Sequence, residues 1–185
     1  MMNGCPRWSL LVVPLLAALG CSDPVPRPAQ GNLTLSIQQL MGCPTPGKIY
    51  QVGNPGAPTE IDFGDPFIDG ENGATIKCSV RGAGSFTFSG SIQARSKEND
   101  TVNLSMTNGV INADKTGTAT LSVFTPGLGA SYSSDMGTCQ VTAIDVRAGA
   151  LWAKINCPKI SESSTATSCI VGTTTTFVLE NCDGY

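Results

Sequence analysis

Apolar and polar residues alternate one for one along much of this chain, in short blocks. Leu33-Leu35-Ile37, Ala74-Ile76-Cys78-Val80, Phe86-Phe88-Gly90-Ile92, Val102-Leu104-Met106, Ala119-Leu121-Val123 and Leu151-Ala153-Ile155-Cys157 are interleaved mostly with Thr, Ser, Gln, Lys or Asn. A period of two sends alternate side chains to opposite faces, the mark of a half-buried strand. Shorter blocks at 48–52, 139–146 and 174–180 bring the total to about nine strands. Between them stand the turn signals Asn54-Pro55-Gly56, Asp69-Gly70, Asn108-Gly109, Pro126-Gly127 and Ala148-Gly149. No segment sustains apolar spacing of 3.6, so helices are expected to be minor. Each sheet has one apolar face to cover, and two sheets packed face to face cover both. The expected fold is all-β, an antiparallel β-sandwich over 33–185, with a closed barrel as the alternative. A membrane barrel fits poorly, because the outward positions are Thr, Ser and Gln rather than a lipid-facing apolar belt.

Arg7 and the apolar stretch Leu10 to Leu19 precede this body. A transmembrane helix needs about 17–25 apolar residues, so the stretch is too short to span and reads as the core of a secretory signal over 1–20. Small residues then lead to a cysteine in Ala18-Leu19-Gly20-Cys21. This tetrapeptide resembles the lipobox of bacterial lipoproteins, with Gly20 and Cys21 at its last two positions and Ala18 and Leu19 departing from the preferred residues. The resemblance covers residues 1–21. It implies that Cys21 becomes the mature N-terminus and carries lipid, and that Ser22, which is not the retention aspartate, directs the protein to an outer membrane. Ordinary cleavage after Gly20 is the alternative, and it leaves Cys21 a bare thiol. Two or more acyl chains anchor a protein stably. Pro24, Pro26 and Pro28 in the segment 22–32 favour an extended chain, a tether of roughly 34 Å at about 3.1 Å per residue.

The 185 residues are 41% apolar and 14% charged, with formal net charge −3 and no histidine. The apolar share suffices for a core, which argues against disorder. Without a basic cluster there is no electrostatic footprint for nucleic acid. Without histidine there is no Ser-His-Asp or Cys-His nucleophile and no imidazole metal ligand. Neither G-x-S-x-G nor S-x-x-K occurs.

Cysteine parity carries further information. Cys5 falls within the signal; if Cys21 is acylated, six remain at 43, 78, 139, 157, 169 and 182. Cys78, Cys139 and Cys157 share the phase of the apolar positions, so their sulfurs point inward, and inward thiols of an exported domain pair. Fifteen connectivities are open to six cysteines. The most local choice is Cys157–Cys169, which leaves Cys43–Cys78 and Cys139–Cys182. Metal binding by these cysteines is disfavoured because no C-x-x-C is present.

Candidate chemistry is sparse. The stretch 53–73 holds Glu60, Asp62, Asp65, Asp69 and Glu71 and no basic residue. Hard oxygens suit calcium, and Asp62, Asp65, Asp69 and Glu71 are its candidate ligands, although the spacing fits no EF-hand loop. The alternative is a solvated acidic loop pinned by Phe63, Phe67 and Ile68. Glu60, Asp62, Glu98 and Asp100 are formally available as a glycosidase carboxylate pair, with nothing in the spacing to select two. Trp152, out of phase with Leu151 and Ala153, points to the other face of its strand, as a stacking platform or under a loop. Tyr132, in the Gly/Ser-rich loop 126–137, has the setting of an exposed contact residue. The expectation is a lipid-anchored envelope protein with a non-catalytic structural or binding domain, a membrane partner through its lipid and a protein or carbohydrate partner besides. A calcium- or carbohydrate-binding module comes second, and an envelope hydrolase with a carboxylate pair third.

Overall fold

A computed structural model describes residues 26–54 and 66–183. The expected signal segment, Cys21 and the first part of the tether lie outside the described residues. Within them the chain is all-β and antiparallel, with no helix. Its strands are β1 (Gln30–Gln39), β2 (Ile49–Val52), β3 (Phe67–Ile68), β4 (Thr75–Ala83), β5 (Ser85–Arg95), β6 (Thr101–Ile111), β7 (Thr116–Phe124), β8 (Ser131–Ser133), β9 (Cys139–Arg147), β10 (Ala150–Glu162), β11 (Ser168–Val171) and β12 (Thr176–Glu180). All nine expected blocks are strands. The additional β3, β8 and β11 have two to four residues, too few to display a period.

The two layers belong to one continuous sheet. Hydrogen bonding runs β11-β1-β12-β10-β8-β7-β6-β5-β4, with β2 and β3 on the free side of β1 and β9 bridging β10 and β7. The sheet folds over on itself, so that β5 lies against β1 and β12. Phe88 of β5 stacks on Phe177 of β12 with ring centroids 6.1 Å apart, and Gly90 lies beneath Leu179. Leu33, Leu35, Ile92, Leu104, Met106, Leu121, Val123 and Ile155 fill the space between the layers, the positions that alternation assigned to the core.

All six described cysteines pair, but the local connectivity expected from the sequence is corrected. The bonds are Cys43–Cys169, Cys78–Cys182 and Cys139–Cys157. Strand register decides this, not distance along the chain. Asn156 faces Gln140 in the β9–β10 pair, so Cys157 and Cys139, one step on, face each other. Cys157 faces Val171 across β11, whereas Cys169 faces Ile160 beyond a register shift, which separates the pair that sequence proximity favoured. Cys169 also faces Gln39 at the end of β1, beside the turn that carries Cys43. The stretch after β12 runs along β4, with Asp183 bridging Ser79, and this brings Cys182 to Cys78.

Two further expectations change. Asn108-Gly109 lies inside β6, at an irregularity between Thr107 and Val110, where Asn108 takes a positive φ of 51°. It marks a bulge within a strand, the other role of glycine in a β segment. The tether also ends early. The Pro28 carbonyl accepts a hydrogen bond from Asn181 Nδ2 at 3.2 Å and the Ala29 carbonyl one from Asp69 N at 2.8 Å, so the chain joins the domain before the expected boundary at 33.

Candidate functional site

The residues singled out in the sequence do not converge. Trp152 lies on the face away from the main core, as its phase requires, but it is 1% exposed and packs with Ala150, Val178 and Ile144; the exposed stacking platform is corrected to a second, small core. Its cross-strand neighbours in register are Val178 and Asp145, of which Val178 joins the small core. Tyr132 is likewise corrected from a loop contact to a buried residue, 1% exposed. It is the inward member of the three-residue strand β8, and its hydroxyl meets Thr167 Oγ1 at 2.9 Å. The alternation Ser131-Tyr132-Ser133 was the available signal, masked by the Gly/Ser-rich setting.

Of the acidic stretch, Glu60, Asp62 and Asp65 lie outside the described residues. Asp69 Oδ1 accepts a hydrogen bond from the backbone N–H of Ile76, 2.8 Å away, which ties the turn before β4 to the start of that strand. Glu71 is exposed. Among the described residues no three Asp, Glu or Cys side chains are grouped as a metal cage. Phe67 and Ile68 pair with Gly31 and Gln30, pinning the end of the stretch onto β1. Asp100 forms an ion pair with Lys48 at 2.6 Å, which holds the Lys48 ammonium above its ordinary pKa, and Glu98 is exposed. The Glu162 carboxylate, at the end of β10, accepts hydrogen bonds from Ser164 and Thr165 in the turn that follows. These hold its pKa below the ordinary value.

Among the described residues an open groove of about 700 Å³ lies beside the base of the tether. Pro26 to Ala29 form one wall. The floor is the outer face of β4, β5 and β6, which presents Lys77, Ser79, Ser89, Ser91, Ser105 and Thr107, and the rim carries Asn181 and Asp183. Alternation places these side chains here, since each sits one step out of phase with the core positions Ile76, Cys78, Gly90 and Met106. The Cys78–Cys182 bond and the backbone bonds Asp183 N to Cys78 O at 3.0 Å and Val80 N to Asp183 O at 3.3 Å fasten the rim to the floor. Asn181 then fastens the tether wall to the rim. Arg27, Lys77 and Asp183 have no ion pair or side-chain hydrogen bond among the described residues, so their charges are available to a ligand.

Sequence reasoning missed the floor because it is created by register. Ser91 faces Ser105, Ser105 faces Ser122, Ser122 faces Ser133, Ser133 faces Ser161 and Ser161 faces Ser168. Serines from six strands thus form one row across the outer face, and part of it is self-bonded: Ser133 Oγ donates to Ser122 Oγ at 3.1 Å. Each serine alone reads as an ordinary outward polar position. Comparison with protein-family models, with curated proteins and with solved structures finds no match.

Proposed function

We propose that this chain is a lipid-anchored protein of the bacterial cell envelope whose disulfide-stapled β domain is a non-catalytic binding module, with the groove beside the tether as its site. The observation that carries the reading is the pairing of the cysteines. The six that follow Cys21 bond to one another, which leaves the Cys21 thiol for the lipid that the lipobox-like Ala18-Leu19-Gly20-Cys21 implies. Three disulfides suit an oxidising compartment outside the cytoplasm, and Ser22 suits delivery to an outer membrane. A rigid, hydroxyl-lined recess holding unpaired charges suits recognition of a polar ligand. Mass spectrometry of protein recovered from membranes tests the anchor. The expected mature chain begins at Cys21 with a diacylglyceryl group on sulfur and partitions into detergent. A chain that begins elsewhere, or a free Cys21 thiol, overturns the reading.

A further inference from the structure

We infer that the groove faces the bilayer that holds the lipid anchor and takes the headgroup of a phospholipid bearing a phosphate and a primary ammonium; this rests on the lipoprotein reading above. Position comes first. Pro26, the start of the groove wall, is five residues from Cys21, and at most about 3.6 Å per residue that is no more than about 18 Å whatever conformation the intervening residues take. The Pro28 and Ala29 carbonyls are already bonded to the domain, so the roughly 34 Å reach of a free eleven-residue tether is lost. The polar headgroup layer occupies about 5–7 Å of each leaflet. A domain held this close on so short a leash brings the surface next to its attachment point to that layer, and this surface is the groove.

Charge then selects the ligand. Arg27 and Lys77 supply cations for a phosphate, Asp183 a carboxylate for an ammonium, and all three are unpaired among the described residues. Asp69 keeps Oδ2 beyond its bond to Ile76. Ser91 and Ser105 add hydroxyl donors and acceptors to the floor. Among the described residues no aromatic side chain lines the groove. These residues therefore offer a pyranose ring no face to stack on, and a quaternary ammonium such as choline no aromatic cage. Phosphatidylethanolamine matches each of these features.

The test uses the full acylated chain in vesicles of equal parts phosphatidylethanolamine and phosphatidylglycerol, doped with a headgroup-nitroxide lipid. A fluorophore is placed either at Ser105→Cys, on the groove floor, or at Thr142→Cys, exposed on β9 and outside the groove lining. The expected result is stronger quenching at Ser105 than at Thr142. The difference shrinks when phosphatidylcholine replaces phosphatidylethanolamine, and is lost in Lys77→Glu combined with Arg27→Glu. Equal quenching at the two positions in protein whose Cys21 mass includes the lipid overturns the proposal and leaves the anchor standing. So does quenching at Ser105 that is unchanged by the amine headgroup or by the two charge reversals. A Cys21 mass without lipid overturns both readings.

Discussion

The side-chain amide of Asn181 donates to the carbonyl of Pro28 at 3.2 Å, joining residues 153 positions apart in sequence. Asn181 adjoins Cys182, whose bond to Cys78 anchors it to the groove floor, so a single chemical staple orients the start of the domain, its end and the β4 edge together. Asn181 takes a positive φ of 52°, a conformation that asparagine tolerates better than most residues. Asn181→Ala removes the bond and strains the backbone, and is expected to free Pro28 while leaving the core intact. Hydrogen exchange checks this: the tether base should exchange faster in the variant, with no change in β6 or β7.

Disulfide removal should rank by loop length. In the chain-entropy description, loops of 126 and 104 residues contribute about 5 kcal/mol each, and the 18-residue loop about 3 kcal/mol. Double Cys→Ala variants of the Cys43–Cys169 and Cys78–Cys182 pairs should therefore lower the denaturation midpoint more than that of Cys139–Cys157. If the Cys139–Cys157 pair proves the costliest, its packing inside the β9–β10 hairpin outweighs unfolded-state entropy.

Gly109 lies against the Phe88 ring, and a Cβ there would stand 2.4 Å from Phe88 Cε1. Phe88 cannot retreat freely because it also stacks on Phe177. Gly109→Ala should destabilise by about 1–3 kcal/mol, the usual range for overpacking. Combining it with Phe88→Leu should cost less than the sum of the two single changes, because both act on one contact. Urea denaturation of the four proteins in the cycle measures the coupling, and strict additivity would refute this account.

Tyr132 offers a separate test of burial. Tyr132→Phe removes only the hydroxyl that meets Thr167 and should cost about 1 kcal/mol, whereas Tyr132→Ala opens the core beneath β8 and should cost about 3–5 kcal/mol. A Tyr132→Ala protein as stable as the wild type would return this residue to the surface.

What the sequence made legible is what a two-residue period can carry. Leu33, Ile76, Ile92, Leu104 and Leu121 lie where alternation put them, because each belongs to a strand long enough to repeat the pattern and one face of that strand meets the core. Tyr132 and Cys169 sit on strands of three and four residues, where composition outweighs period. Connectivity and the groove are properties of pairs of strands. Cys157 meets Cys139 rather than Cys169, and Ser91 meets Ser105, only once the sheet order exists, and no local pattern encodes that order.

The response to pH follows from three groups at the surface. Ser164 and Thr165 hydroxyls hold Glu162 below its ordinary pKa, and Thr116 does the same for Asp114 through its hydroxyl and its backbone N–H. The unfolded chain therefore binds protons at these carboxylates before the folded chain does. Their contribution to stability is present above the ordinary carboxylate range and is lost as pH falls through the depressed folded values. Lys48 has the opposite sign. Its bond to Asp100 raises its pKa, so its contribution is present below the ordinary lysine value and is lost as pH rises through the raised one. From these three groups, stability should be flat between about pH 5 and pH 9 and fall on both sides. Glu162→Ala should differ from the wild type at neutral pH and progressively less in acid; Lys48→Met should differ at neutral pH and progressively less in strong alkali. Urea denaturation across the pH range measures both differences. A Glu162→Ala difference that grows in acid would show that the hydroxyls of the 162–167 turn hold the protonated acid rather than the carboxylate.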